Sequence, residues 1–243
     1  MNFKLTISYD GSDFSGWQIQ PNERTIQDEI QTAIQNIFQN KDIKLYGSGR
    51  TDSGVHAIEQ TANFLVKDSN MNEKQIVNAI NSKISKDIYI LDCKKMNKNF
   101  NSRYSAKKRE YLYRISRNYS PFLRKYSWYQ KYNIDFNKLQ KCSDIILGEH
   151  DFSNFCKSIS LQEMNFCNIS KSTWYITDDI ISFKIKSNRF LHHMVRMLVG
   201  TMIEVAKNKI TLKQFDNMIK NPKANKKVIT APALGLYLYK VYY

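Results

Sequence analysis

One succession of strands and helices occurs twice in this chain, and it restricts the possible folds more than any other feature of the sequence. In the first half, alternating apolar residues predict strands at FKLTISYD, IKLYG, QTANFLVKD and DIYILDCKKM. A helix with the apolar stripe Ile26, Ile30 and Ile34 is expected after its N-cap Thr25, and another over NEKQIVNAINSKI. The order β-α-β-β-α-β is that of the ferredoxin-like, or split βαβ, unit.

The second half repeats this order. A strand is predicted at REYLYRISR, a hairpin at STWYITDD and IISFKIKS, and a final strand at GLYLYKVYY. Helices are predicted at DFNKLQKCSDIILG, with Asp135 as N-cap and Gly148 as stop, at RFLHHMVRMLVGTMIEVAKN and at TLKQFDNMIKN. The last helix opens with a capping box formed by Thr211 and Gln214.

The repetition predicts an α+β fold of two ferredoxin-like halves in a pseudo-twofold arrangement, with a central cleft between them. We expect residues 1–104 to form the first half, which carries the loop discussed below, and residues 105–243 to form the second. The polar and basic stretch from Phe100 to Lys108 is the expected join.

The charge of the chain indicates a polyanionic partner. Its 37 lysines and arginines exceed its 22 aspartates and glutamates, which gives a formal net charge of +15. Such an excess attracts nucleic acid, and the 15 tyrosines suit stacking on bases. Two ordinary explanations stay open, namely a lysine-rich background composition and tyrosines that fill half-buried sheets.

Three features favour a cytoplasmic protein. No run of about eighteen or more apolar residues is present, so no transmembrane helix is expected. The N-terminal MNFKLTISYD lacks the pattern of a secretory signal. The four cysteines, Cys93, Cys142, Cys156 and Cys167, include no CxxC pair, which argues against a zinc ribbon and favours reduced thiols.

The loop YGSGRTDSGVHA places Arg50, Asp52 and His56 among glycines. A phosphate-binding P-loop is excluded because no Gly-Lys-Ser/Thr sequence leads into a helix. A metal site is not favoured, since Asp52 and His56 have no nearby His or Cys at ligand spacing. The doublet His192-His193 lies on a predicted helix, where neighbouring side chains point about 100° apart, so the two are not expected to share a metal from one face. A purely structural loop stays possible, with Asp52 capping a turn or pairing with Arg50.

Five ordered segments resemble a known family. GRTDSGVHA closely resembles the signature loop of the tRNA pseudouridine synthase A family. YDGSDFSGWQIQ resembles the family's first motif, with Ser12 in place of the more usual threonine. REYLYRI, NRFLHHMVRMLVGTMIEV and APALGLYLYKVYY resemble later motifs in the same order. The resemblance covers the entire chain and implies the pseudouridine synthase fold, in which two ferredoxin-like halves face each other across a cleft.

The resemblance also implies an activity. The protein would be a cytoplasmic isomerase that converts uridine to pseudouridine in the anticodon stem-loop of tRNA, at tRNA positions 38–40. In that reaction the C1′–N1 bond breaks, the uracil turns within the site, and C5 bonds to C1′. The family needs no metal or organic cofactor, and its members are homodimers that hold tRNA with both subunits.

By position, the resemblance gives roles to five residues. Asp52 matches the family's nucleophilic aspartate, and Tyr111 matches the tyrosine that stacks on the target uracil and is a candidate base. Arg50 matches the arginine that helps to displace the base from its stack. Arg196 matches the basic residue that pairs with the aspartate, and Leu236 an apolar residue that packs against the base. Considered one at a time, each of three residues also has an ordinary structural explanation. Tyr111 would be a half-buried strand residue, Arg196 a solvated residue on a helix face, and Leu236 a core strand residue.

Two other functions compete with this one. A non-catalytic RNA-binding protein of paired RRM-like units would share the topology, but QTANFLV has one phenylalanine and lacks the basic-glycine start of an RNP1 segment. A nucleic-acid glycosylase that uses Asp52 would release free base. The segment FCKSISLQEMNFCNIS resembles the family poorly, and its Cys167 stands where many relatives carry an arginine, which puts an RNA contact in question.

Overall fold

The computed structural model describes residues 1–222 and 228–243, which form two compact units. Unit 1 comprises Met1–Lys107 and Tyr237–Tyr243, and unit 2 comprises Lys108–Leu236. The contacts therefore group the last strand, from Tyr237 on, with the first half of the chain. Among the residues that the structure describes, no helix has the length and apolarity needed to cross a membrane.

The helices and strands follow the predicted order. The first half forms β1 (Asn2–Tyr9), α1 (Ile26–Phe38), β2 (Leu45–Gly47), β3 (His56–Leu65), α2 (Glu73–Asn81) and β4 (Ile88–Met96). The second half forms β5 (Lys108–Ser116), β6 (Trp128–Tyr129), α3 (Phe136–Ile145), β7 (Gly148–Asp151), β8 (Phe166–Thr177), β9 (Ile180–Ser187), α4 (Met194–Ala206), α5 (Leu212–Lys220) and β10 (Leu236–Tyr242). This succession confirms the predicted α+β fold, with the short strands β6 and β7 added to the second half.

The sheet of unit 1 has the strand order β4-β1-β3, and two strands share the other edge of β3. β2 pairs antiparallel with the later part of β3, with Leu45 opposite Phe64. β10 pairs parallel with its beginning, with Tyr237 opposite His56. Helix α1 turns its predicted apolar stripe inward, burying Ile26, Ile30, Ala33 and Ile34. The shared edge places the end of the chain beside the start of β3.

The sheet of unit 2 has the order β5-β9-β8-β7, with antiparallel neighbours throughout and β6 parallel to the end of β5. The predicted hairpin of β8 and β9 turns at Asp178, whose φ is 52°. Trp174 and Phe183 stack across this hairpin, with ring centroids 4.6 Å apart. Helix α4 is buried along most of its length, so the unit's core holds it firmly.

Two of the three predicted N-caps make their side-chain hydrogen bonds. Asp135 accepts from the Lys138 amide, and Thr211 and Gln214 form the capping box. Thr25 is the N-cap of α1, but its hydroxyl makes no cap bond. The amide of Ile26 donates instead to the Gly16 carbonyl at 3.2 Å, and the next amide donates to the Trp17 carbonyl at 2.9 Å. The backbone of the first motif thus replaces the expected cap.

The predicted start of α4 at Arg189 is wrong. The helix begins at Met194, and its N-cap His193 has a left-handed backbone with φ 65°. The carbonyl of the preceding His192 accepts a hydrogen bond from the Lys157 amide at 3.1 Å. Because this carbonyl is occupied by a distant segment, it cannot serve a helical turn, and the helix starts later.

Two other boundaries also differ from expectation. Strand β3 begins at His56 rather than at Gln60, because Ala57 pairs with Tyr9 of β1 and His56 pairs with β10. Helix α3 ends at Ile145, and Gly148, expected to stop it, begins β7 with φ 91°. In both cases the boundary is set by strand pairing with a segment outside the local sequence pattern, so the pattern alone could not predict it.

Candidate active site

Asp52 lies in the loop that joins β2 to β3. Its side chain is half-buried, whereas that of Arg50 is exposed. The Asp52 carbonyl accepts a hydrogen bond from the Val55 amide at 3.1 Å, and Gly54 has φ 74°. A positive φ at the third position of a four-residue turn is the pattern of a type II turn, which favours glycine. The turn therefore starts at Asp52 and keeps its carboxylate partly accessible.

The segment YDGSDFSGWQIQ packs along one side of this loop. The hydroxyls of Tyr9 and Thr51 share a buried hydrogen bond of 2.8 Å, and the Trp17 amide donates to the Thr51 carbonyl at 3.1 Å. Ser53 Oγ donates to the Phe14 carbonyl at 3.1 Å. These bonds fix the residues on both sides of Asp52, so the first motif and the signature loop form one structural element.

Gly16 is required for this packing. Its φ is 92°, and a Cβ added to it would lie 2.7 Å from the Thr51 carbonyl oxygen. A side chain would therefore be strained in the backbone and would collide with the loop. The glycine of the first motif lets the two segments meet.

A polar network anchors the other end of the loop. Ser48 Oγ donates to Gln60 Oε1 at 2.7 Å, and Gln60 Nε2 donates to the Gly49 carbonyl at 3.1 Å. The Ser48 amide donates to the Thr61 carbonyl at 2.8 Å. Ser48 and Gln60 are both buried, so the network resists solvent competition. The loop is thus held at both ends, with Arg50 and Asp52 between the anchors.

His56 supplies a further anchor that sequence reasoning missed. The residue is buried, and its Nδ1 lies 3.1 Å from the Gly11 amide nitrogen, which donates to it, and 3.1 Å from Asp10 Oδ1. Its ring stacks on Tyr237 with centroids 4.8 Å apart. The imidazole therefore ties the end of the loop to the first motif and to β10. The sequence signal for this role was the position of His56 beside a glycine-rich loop. Its partners could not be predicted because they are remote in the chain.

The other three predicted site residues belong to unit 2. Tyr111 lies in β5, half-buried, with its ring edge-on to Phe190 at 5.0 Å between centroids. Arg196 lies in α4, and its Nε donates to the Ala231 carbonyl at 2.8 Å. Leu236 is the first residue of β10 and is buried. Arg50 and Asp52 thus come together in one loop of unit 1, and Tyr111, Arg196 and Leu236 lie on three elements that begin or run in unit 2.

Tyr113 is a second residue that sequence reasoning missed. It is fully buried, and its hydroxyl donates to the Pro232 carbonyl at 2.8 Å. Burial raises the pKa of this hydroxyl, and the charge of Arg196 acts against that rise. The Tyr113 and Arg196 bonds together hold the segment APALG, which leads directly into Leu236. The signal in the sequence was the second tyrosine of REYLYRI, two residues after Tyr111.

The histidine doublet does not have the predicted geometry. His192 precedes α4 and His193 caps it, so helical geometry does not separate their side chains. The ring centroids are 4.4 Å apart, and His192 Nδ1 shares a hydrogen bond of 2.7 Å with Ser160 Oγ. The sequence argument against a shared ligand role for the doublet therefore rested on a wrong element boundary.

All four cysteines are free and buried, in agreement with the expectation of reduced thiols. Burial raises the pKa of Cys93 and Cys142 to about 12 and that of Cys167 to about 11. Cys167 has no exposed surface, and it lies on β8 opposite His150. The Cys167 thiol is therefore part of the core and cannot reach RNA without rearrangement.

Comparisons with known proteins identify the family. A family model described as tRNA pseudouridine synthase matches residues 5–105 and 144–243. The chain is 39% identical to a tRNA pseudouridine synthase A from Brachyspira hyodysenteriae, over 100% of this chain and 98% of that protein. Enzymes of the same name from Dictyoglomus thermophilum and Bacillus licheniformis are each 38% identical, over 100% of this chain and 100% and 99% of their own lengths.

These matches define the class of the protein, an isomerase with the pseudouridine synthase fold. The chain belongs to the tRNA pseudouridine synthase family. Arg50, Asp52, Arg196 and Leu236 lie inside the residues that the family model matches, whereas Tyr111 lies between the two matched ranges.

Proposed function

We propose that this protein isomerises uridine to pseudouridine in the anticodon stem-loop of tRNA, at tRNA positions 38–40, in the cytoplasm. Asp52 is the catalytic residue. The observation that carries this proposal is the anchoring of Asp52, which starts a turn fixed by Thr51 and Ser53 on one side and by the Ser48–Gln60 network on the other. Such rigid support around a partly exposed carboxylate suits a group that must meet a substrate in one geometry.

The chemistry needs little beyond these residues. The C1′–N1 bond breaks and a C1′–C5 bond forms, while C5 loses its hydrogen to solvent and N1 gains one, so no oxidant or reductant is consumed. The Asp52 carboxylate attacks C1′, attacks the uracil ring, or promotes elimination, and these routes stay open. The target nucleotide must leave its stack before either carbon can be reached. Tyr111 stacks on the extruded uracil, Arg50 helps to displace it, and Leu236 packs against it.

Arg196 has an electrostatic role in this proposal. A carboxylate acts as a nucleophile only while ionised, and a neighbouring cation favours that state. An arginine suits the role because it stays charged at any physiological pH. The hydrogen bond from Arg196 Nε to the Ala231 carbonyl fixes one edge of the guanidinium, which limits the rotamer freedom of a long side chain.

Tritium release from tRNA that carries 5-tritiated uridine tests the proposal, because pseudouridine and uridine have the same mass. Asp52→Asn is nearly isosteric but lacks charge and nucleophilicity. We expect tRNA binding within a few-fold of the parent and turnover lowered at least roughly ten-thousand-fold, equivalent to about 5.4 kcal/mol of barrier. Asp42→Asn, which removes the same charge from an exposed turn of unit 1, is the matched control and should keep parental turnover.

The same assay separates the competing functions. Substantial tritium release by Asp52→Asn would show that another residue carries the chemistry. Release of free uracil by the parent would identify a glycosylase, and tRNA binding without tritium release would identify a non-catalytic RNA-binding protein. An Asp52→Asn chain that fails to fold would restore a purely structural role for the loop.

We further propose that the protein is a homodimer. The pairing of β10 with β3 of the same chain gives GLYLYKVYY a partner strand without a second subunit, so this stretch does not argue for a dimer. The support that remains is the resemblance to a family of dimers. Sedimentation at micromolar concentration should give the mass of two chains, and a monomer there would contradict the proposal.

A further inference from the structure

The segment RNYSPFLRKYSWYQKY, residues 117–132, forms an aromatic and basic surface that the proposed site does not use. It contains six aromatic residues and four cations and has no aspartate or glutamate. Several of its rings are largely exposed, with Tyr119 at 66%, Phe122 at 86% and Tyr132 at 61%. Large exposed rings at this density are unusual on a folded surface and indicate a binding function.

Part of this surface encloses a recess of about 230 Å³ within unit 2. Its wall consists of Tyr119, Trp128, Tyr129, Arg124 and Leu234 together with three serines. Tyr119 and Tyr129 meet edge to face, with centroids 5.7 Å apart. The volume is below the range typical of pockets for drug-sized ligands, and it suits a single planar ring.

Neighbouring contacts hold the recess in shape. The ring of Trp128 meets the buried ring of Tyr113 at 6.3 Å, and Lys207 Nζ lies 5.8 Å from its centroid. Arg124 Nη1 donates to the Pro121 carbonyl at 2.6 Å, which fixes a guanidinium at the rim. The Trp128 ring and one edge of the Arg124 guanidinium are therefore held by neighbouring groups, which reduces the conformational freedom that these two side chains would lose on binding.

The charge of the surface selects its ligand. The charge of Arg117 is partly offset by its pairing with Asp179 at 3.7 Å, whereas Arg124 and Lys131 lie among the rings of a segment that has no acidic side chain. Aromatic faces interleaved with cations are how proteins hold unpaired nucleotides, since the rings stack on bases and the cations meet phosphates. An acidic or purely apolar ligand would use only one of these two features.

The recess is separate from the position assigned to the target uracil. Ser116, in its wall, lies five residues beyond Tyr111 on β5, a distance of about 16 Å along the strand. We infer that the recess binds a second unpaired nucleotide of the same tRNA, with its base stacked on one ring of the Tyr119–Tyr129 pair and in edge contact with the other, and with its phosphate at Arg124. This inference rests on the proposed function for the identity of the RNA.

The test uses the double variant Tyr119→Ala/Tyr129→Ala. We expect KM for tRNA to rise at least about tenfold with kcat within about twofold of the parent, since stacking contributes to binding and not to the chemical step. Affinity for a single-stranded RNA octamer should fall by a similar factor, and affinity for an RNA duplex should not change. Tyr119→Phe/Tyr129→Phe keeps the rings and should behave as the parent. Tyr89→Ala, with a ring 58% exposed on β4 of unit 1, controls for the loss of any surface tyrosine.

A second variant addresses the cation. Arg124→Gln should weaken tRNA binding and reduce the slope of log K against log salt by about one, whereas the tyrosine variant should leave that slope unchanged. If the double alanine variant does not fold, Tyr119→Ala alone and Arg124→Gln decide the question.

Unchanged KM and octamer affinity in the alanine variants would overturn the inference. So would an equal loss of affinity for the duplex, or a change of sedimenting mass with RNA affinity unchanged, which would identify a surface for self-association. A parent protein without tritium release would refute the proposed function alone, because octamer binding still measures the recess.

Discussion

Tyr111 and Tyr113 stand two residues apart on β5 and have different surroundings. Tyr113 is fully buried, donates to the Pro232 carbonyl and has a raised pKa, so it stays a neutral hydroxyl near pH 7. Tyr111 is half-buried and lies edge-on to Phe190. A ring with one accessible side can stack on a base, whereas a ring enclosed by the core cannot.

We therefore expect different results from two phenylalanine variants. Tyr111→Phe keeps the stacking face, so tRNA binding should persist, and turnover should fall about a hundredfold if the hydroxyl transfers a proton. Tyr113→Phe should lower the free energy of unfolding by about 1 kcal/mol, because the Pro232 carbonyl loses its donor. Tritium release, filter binding and urea unfolding separate the two effects. If Tyr111→Phe turned over at the parental rate, the Tyr111 hydroxyl would not be the base, and the residue would act only by stacking on the uracil.

The buried thiols predict how stability changes at high pH. Burial raises the pKa of Cys142 from its ordinary value of 9.0 to about 12, so between these values the folded state binds more protons than the unfolded state. The free energy of unfolding should therefore fall as pH rises through this window, by about 1.4 kcal/mol per pH unit for one thiol.

Urea unfolding should show that the free energy of unfolding of Cys142→Ala falls less steeply between pH 9 and pH 11 than that of the parent. At pH 7 the variant is less stable than the parent because of the lost side-chain volume. An identical slope in the variant and the parent would mean that this thiol does not titrate as its burial requires.

At the scale of elements, the first motif supports the loop that carries Asp52. It supplies two carbonyls to the start of α1, and it bonds the backbone on both sides of Asp52. One short segment thus couples the start of a helix to the position of a carboxylate. Damage to this segment should affect both stability and turnover.

Gly16→Ala tests that coupling. The new Cβ combines a left-handed backbone with a 2.7 Å approach to the Thr51 carbonyl, so we expect a loss of about 3 kcal/mol in the free energy of unfolding. Turnover of the folded fraction should also fall, because the loop must shift. Gly49→Ala is the matched control for stability, since its Cβ would meet nothing within 4 Å. Equal stability of the two variants would show that the packing of the two segments is not required.

At the scale of the whole molecule, the net charge of +15 predicts binding that depends on salt. If about six phosphates are neutralised, log K for tRNA should fall against log salt with a slope of roughly −4 to −5. A filter-binding titration between about 50 and 200 mM salt measures this slope. A slope near zero would mean that the charge reflects only a lysine-rich composition.

The sequence by itself determined the element types, their order and the family. Periods of two and of 3.6 residues are local properties, so β1 and the apolar stripe of α1 could be predicted without a partner. Caps whose donor lies within three residues, such as Asp135, were also predictable. The loop around Asp52 could be singled out because polar groups among glycines do not suit a core.

Only the tertiary structure decided which distant groups meet. His56 begins β3 because β10 lies beside it, and Thr25 makes no cap bond because the carbonyls of Gly16 and Trp17 receive the first amides of α1. Tyr113 and Arg196 hold the segment before Leu236 through two carbonyls. Backbone groups carry nearly the same donors and acceptors at every residue, so no local pattern predicts which carbonyl will accept a given hydrogen bond. That choice depends on how the elements pack, because each buried donor bonds to the acceptor that packing brings within reach.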